Sequence, residues 1–221
     1  MPDVRLGFFV VPPAPQMSSL YDHSCTLCPL HERAKTVCVE ASGQSTRLRT
    51  MIVGEAPGRN EDELGVPFIG RAGRLLDRAL HMAFYPDSKF VLGRARRELF
   101  VTNAVKCRPQ NNDNPDEMEI DACVSAYLTR EIEAVNPTAL LALGNVAAQA
   151  LLGETGVSRL REEWHRLDSD AERYVLVTYH PAYVLYRGGT SGEAWPAFLA
   201  DVLKFAQEVL HGSRGQDQTA L

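Results

Sequence analysis

A chain of 221 residues with 45% hydrophobic and 23% charged side chains is an ordinary soluble globular composition, long enough to bury about 70% of its unfolded surface without disulfide staples. Its five cysteines, an odd number, are therefore free for other work, and a reducing cytoplasm is the expected compartment. The net charge of −5 argues against a uniformly basic nucleic-acid-binding surface, and the apolar run Gly7 to Val11 is too short, and too soon stopped by prolines, for a signal peptide or membrane span.

Along the chain, Thr50 to Gly54 reads as a first buried strand and Arg71 to Ala83 as a helix. Leu99 to Val105 gives a second strand. A helix from Pro115 to Val135 follows, with Asn114 as cap and Pro115 as first helical residue. Thr138 to Leu143 is a third strand, Asn145 to Leu152 a helix, Tyr174 to Thr178 a fourth strand, and Ala194 to Leu210 a closing helix. Strands alternating with helices imply parallel pairing, so the expected fold is a three-layer α/β/α sandwich around a central four-stranded parallel sheet. Residues 1–211 are expected to form one domain, and the polar tail 212–221 to be disordered.

Ligands of such sheets bind beyond the carboxyl ends of the strands. That rule selects Gly54-Glu55-Ala56-Pro57-Gly58, Asn103, Gly144 and His180-Pro181. The GEAPG turn lacks the GKS or GKT of a phosphate-binding loop and the GxGxxG of a dinucleotide turn. Taken alone it is either an ordinary strand-to-helix turn or a loop placing a carboxylate at the mouth of the sheet. Arginines recur at Arg71, Arg74 and Arg78, cluster at Arg94, Arg96 and Arg97, and with Lys106 flank Cys107 at Arg108. Solvated faces and DNA contacts both fit that pattern.

The cysteines carry a sharper signal. Cys25 and Cys28 form a CxxC pair, Cys107 follows a strand, and Cys123 lies fifteen intervening residues further on. Four thiolates so placed suit zinc or a [4Fe-4S] cluster, while reduced core thiols are the plain alternative. Cys38 is spare.

The combination of GEAPG, Phe68 in GVPFIGRAG, TNAVKCRP, LALG and HPAYVLYR, in that order and with these cysteines, resembles the family 4 uracil-DNA glycosylases from about Cys25 to Arg187. The resemblance implies a [4Fe-4S] cluster on Cys25, Cys28, Cys107 and Cys123, and hydrolysis of the bond between uracil and deoxyribose in single- or double-stranded DNA. It places uracil against Gly54, Glu55, Gly58, Phe68, Asn103 and His180. Phe68 would stack on the flipped base, the Asn103 amide would accept from uracil N3-H and donate to O4, and His180 would stabilise the departing uracil anion near O2. Glu55 would exclude thymine's methyl group or position water. Ala56 stands where other uracil glycosylase families have Asp or Asn and cannot act as a base.

Arg71 and Gly73 at a helix start, and Arg187, are the expected phosphate contacts, with Tyr183, Val184 or Leu185 as a wedge into the DNA. A monomer is expected. Two other functions remain open at this stage: a uracil-DNA-binding protein that does not turn over, and a zinc-stabilised small-molecule hydrolase.

Overall fold

The computed structural model describes residues 20–43, 48–168 and 172–212; the run at Gly7 to Val11 and the tail beyond Gly212 lie outside them. Five strands, β1 (Thr50–Gly54), β2 (Phe100–Asn103), β3 (Ala139–Leu143), β4 (Trp164–Arg166) and β5 (Tyr174–Thr178), form one sheet in the order β2-β1-β3-β5-β4. The four strands expected from their apolar runs pair in parallel, with Gly54 beside Asn103 and Leu143 beside Thr178. The expected four-stranded sheet gains a fifth, antiparallel edge strand: β4 pairs with β5 through Trp164 and Leu176. It has three residues, none of them buried, so it carries no apolar run to betray it.

Alternate residues of the central strands enter opposite cores, as a pleat with period two requires. Met51, Val53, Leu140, Ala142, Val175 and Val177 face one core, and Ile52, Val101, Leu141, Leu143 and Leu176 the other. The first core is covered by α3 (Glu117–Cys123), α4 (Thr129–Val135), α5 (Gly144–Leu152) and the short α6 (Val157–Leu160), which contribute Ile120, Ile132, Ala147 and Leu160. The second is covered by α2 (Arg71–Phe84), α7 (Pro181–Tyr186) and α8 (Trp195–Gly212), through Leu76, Val184 and Phe198. These layers make the expected α/β/α sandwich. The remaining helix, α1 (Arg59–Leu64), follows the GEAPG turn.

The helix expected from Pro115 begins two residues later and is interrupted. Asp116, not Asn114, is the cap: its carboxylate accepts the Glu119 N–H at 2.8 Å while Glu119 accepts the Asp116 N–H at 2.9 Å. That reciprocal box satisfies two otherwise orphaned donors. Immediately after Cys123, a π turn over Val124–Leu128 separates α3 from α4 and carries Tyr127 and Leu128 into the core. Such one-turn insertions recur where a helix must place a functional side chain.

Candidate active site

The carboxyl ends of β1, β2 and β5 surround a cavity of about 430 Å³, lined by Glu55, Ala56, Pro57, Gly58, Phe68, Asn103 and His180 among others. The structure thus brings together the residues selected from the sequence, with Gly54 directly beneath. A Cβ on Gly54 would lie 2.4 Å from Phe68 Cζ and 2.5 Å from Asn103 Oδ1. Only a residue without a side chain lets the ring and the amide share this floor.

Phe68 holds its place through its backbone. Its φ of 56° is left-handed, a conformation that costs a non-glycine residue about 1 kcal/mol or more. Its carbonyl presses on Gly73, where a Cβ would stand 1.7 Å from the Phe68 oxygen. Gly73 is buried and packs beneath Phe68. Gly144 plays the same part for the histidine: with φ +90°, it leaves room where a Cβ would come within 2.9 Å of His180 Cβ. The sequence marked Gly144 only as a strand-end residue.

Asn103 ends β2, 4% exposed, and its Oδ1 is buried without a hydrogen-bond partner. Leaving a buried acceptor unpaired costs about 1–3 kcal/mol, so an orphan that lines a cavity is a site prepared for a donor. His180 caps α7, its Nδ1 accepting the Ala182 N–H at 3.2 Å. That bond puts the ring proton on Nε2, and burial pushes the histidine pKa down to about 4. The ring is a neutral donor at physiological pH. It lies 6.4 Å from the Phe68 ring, centroid to centroid. Burial also raises the Glu55 carboxyl above its ordinary pKa.

The rim includes residues that sequence reasoning missed. Pro109, Asn112, Asp113 and Asn114, in the loop before α3, line the cavity with Tyr183. Left-handed backbone at Asn111 and Asn112 is the one local signal, and asparagine tolerates it better than most residues. Of the three expected wedge residues, Val184 is fully buried because α7 turns it into the core. Leu185 is half-buried against the same core, and Tyr183 is 44% exposed.

Several basic residues are not where charge alone suggested. Arg71, Arg74 and Arg78 are exposed on α2, and Arg187 is exposed and paired with Glu193. Arg96 is instead sequestered, its Nη2 2.9 Å from the buried Asp77 carboxylate. Lys106 is 1% exposed and paired with Glu131 at 2.8 Å. At the start of α2 the Gly70 N–H is already bound by Glu61 Oε1 at 2.8 Å, so a carboxylate occupies part of the turn expected to take a phosphate.

Cys28, Cys107 and Cys123 are buried together in the first core, and Cys25 packs against it. Burial is the main cause raising the thiol pKa values of Cys28, Cys107 and Cys123, Cys107 to about 11 and Cys123 to about 12, and neighbouring cysteines add to it. A main-chain amide points at one of these sulfurs: Cys38 N–H lies 3.4 Å from Cys107 Sγ. Among the described residues, no three His, Cys, Asp or Glu side chains are grouped to hold a single metal ion.

The family described as the Uracil DNA glycosylase superfamily matches residues 41–203 of this chain. Similar proteins include type-4 uracil-DNA glycosylases from Pyrobaculum aerophilum, 39% identical over 77% of this chain and 84% of the relative, and Archaeoglobus fulgidus, 38% identical over 74% and 79%. Another, from Thermotoga maritima, is 37% identical over 73% and 78%. The chain belongs to the uracil-DNA glycosylase superfamily and, within it, to the type-4 group.

Proposed function

We propose that the protein flips uracil out of DNA into the cavity between β1, β2 and β5 and hydrolyses its N-glycosidic bond, leaving an abasic site. The observation that carries this reading is the buried, unpartnered Oδ1 of Asn103 on the cavity wall. Uracil N3-H supplies the missing donor, and the amide nitrogen donates to O4. Cytosine presents the opposite pattern and leaves both partners unpaired.

The base stacks on Phe68. His180, neutral and with its proton on Nε2, donates to uracil O2 as the glycosidic bond breaks and negative charge moves onto the base. Glu55 stands at the mouth of the pocket, where it crowds the C5 position or orients water. Ala56 lines the same wall and has no proton-accepting group, so catalysis rests on stabilising the anion rather than on a strong base. Tyr183, exposed at the rim, is the residue placed to fill the gap left by the base. Arg71 and Arg187 are positioned for the backbone of single- or double-stranded DNA. The protein acts as a cytoplasmic monomer; no helix among the described residues is long and apolar enough to cross a membrane.

Cys25, Cys28, Cys107 and Cys123 would hold a [4Fe-4S] cluster. What supports this is four thiols gathered at one core, three of them buried, with the Cys38 N–H 3.4 Å from Cys107 Sγ, a donor set that suits an iron-sulfur centre; the preference for a cluster over zinc follows the family resemblance of the motifs. When bound, the cluster ties the Cys25 loop to the turn after β2 and to α3.

The test is release of uracil from a uracil-containing oligonucleotide in the presence of EDTA, read by alkaline cleavage of the abasic product. Release from both single strands and duplexes is expected. Bound but uncut DNA at high protein concentration would favour a non-catalytic uracil binder and sink the enzyme reading.

A further inference from the structure

Buried ion pairs add little to stability compared with well-packed apolar residues of the same size, so one that lies beside a binding site invites another explanation. Lys106 and Glu131 are 1% and 0% exposed. The lysine ammonium has four oxygen partners: Glu131 Oε1 and Oε2 at 2.9 and 2.8 Å, Thr102 Oγ1 at 2.7 Å, and the main-chain oxygen of Asn103 at 2.7 Å. Glu131 Oε1 also accepts from Thr102 Oγ1 at 3.0 Å and from Tyr21 Oη at 2.6 Å. Tyr21 Oη accepts in turn from the Ala41 N–H at 3.1 Å.

The backbone of Lys106 is tied down as well. Its carbonyl accepts from Val39 N–H at 2.9 Å. One residue therefore grips the carbonyl of the residue whose side chain lines the cavity, and it directly precedes Cys107 in the chain.

We infer that Lys106 is a positioning residue for uracil recognition: the buried Lys106–Glu131 pair clamps the Asn103 carbonyl and so fixes the direction in which the Asn103 amide enters the cavity. This rests on Asn103 being the residue that reads uracil. The ladder and the Ala104 and Val105 N–H bonds to the Gly54 and Glu55 carbonyls at 2.9 Å hold the chain on either side, the ammonium adds a tie on the Asn103 carbonyl itself, and an amide that must accept and donate in a fixed order tolerates little rotation. The clamp supplies the rigidity from behind, out of reach of substrate.

The test is the double variant K106M/E131Q, which removes both charges and so strands neither. The amide that replaces the Glu131 carboxylate keeps an acceptor for Tyr21 and Thr102. Inhibition by free uracil should weaken about 10-fold, since small displacements of a binding group are costly. Affinity for abasic product DNA and iron per protein should stay at wild-type values, which a merely structural loss would not leave intact. Asn103→Ala should cost less in this background than in wild type, because the two act in one unit. Wild-type inhibition by uracil in the folded, iron-replete double variant overturns the inference. Wild-type excision by Asn103→Ala alone overturns instead the reading on which it rests. Should the double variant not fold, Thr102→Val decides: it removes the hydroxyl bridging lysine and glutamate at constant shape, and weaker uracil inhibition is expected. Unchanged inhibition refutes the clamp.

Discussion

Replacing Gly54 by alanine adds a single methyl group at the point where Phe68 and Asn103 meet. The new carbon would lie 2.4 Å from Phe68 Cζ and 2.5 Å from Asn103 Oδ1, whereas carbon contacts settle at about 3.5–4.0 Å. One or both groups must retreat by roughly 1 Å. Phe68 cannot retreat easily, since its left-handed backbone is locked against Gly73. Overpacking of this kind costs about 1–3 kcal/mol of stability, a melting temperature lower by a few degrees. Misplacing recognition groups by roughly 1 Å lowers the chemical step on the order of 100-fold. Single-turnover excision from a uracil oligonucleotide, with a thermal melt beside it, measures both. A folded Gly54→Ala protein that excises uracil within about twofold of wild type would refute the shared-floor account of the site.

Further outcomes follow from the same geometry. His180, with its pKa pushed down to about 4, stays neutral in the fold while the unfolded chain takes up its proton near pH 6.5. Its contribution to stability is thus complete above pH 6.5 and lost as pH falls towards 4; His180→Asn should flatten that loss in melts between pH 7 and 5 while slowing excision on the order of 100-fold. Glu55, raised by burial, should destabilise the fold increasingly as pH rises through its shifted pKa. Glu55→Gln should then raise the melting temperature more at pH 7.5 than at pH 4.5, and an equal effect at both would be inconsistent with a buried, raised carboxyl. Cys123→Ser should lose iron and solubility, whereas Cys38→Ala should keep a full complement of iron, both read by metal analysis of anaerobically prepared protein.

The parallel strands were legible because β1 and β3 are buried at all five of their positions, which leaves unbroken apolar runs in the sequence. The edge strand β4 was not, since only Trp164 of its three residues packs against a core, and one apolar residue makes no run. The strand-end rule picked out Glu55, Asn103 and His180, which line one cavity; Phe68, between α1 and α2, lines it too and was legible only through the motif resemblance. What the sequence hid is what burial decides. Lys106 and Arg96 looked like surface charge until their partners Glu131 and Asp77, 25 and 19 residues away in sequence, were brought to them by the fold. Val184 looked like its neighbours in HPAYVLYR, but α7 turns Val184 inwards and Tyr183 outwards. Gly73 and Gly144 were visible as glycines, but the Phe68 carbonyl meets Gly73 only through the left-handed turn between them, and the His180 side chain that presses on Gly144 belongs to another segment.

The most direct test of Asn103 as the reader of the flipped base is the ratio of uracil to cytosine excision rates in Asn103→Asp. The substitution replaces the amide donor to uracil O4 with a second acceptor, so uracil recognition should fall by about 1–3 kcal/mol or more. Cytosine, whose amino group can donate to the new carboxylate, should be disfavoured less, most visibly at mildly acidic pH where the carboxyl can carry a proton for cytosine N3. A lowered uracil-to-cytosine ratio in folded, iron-containing protein is the predicted result. An unchanged ratio together with an unchanged uracil rate would contradict the assignment of the site.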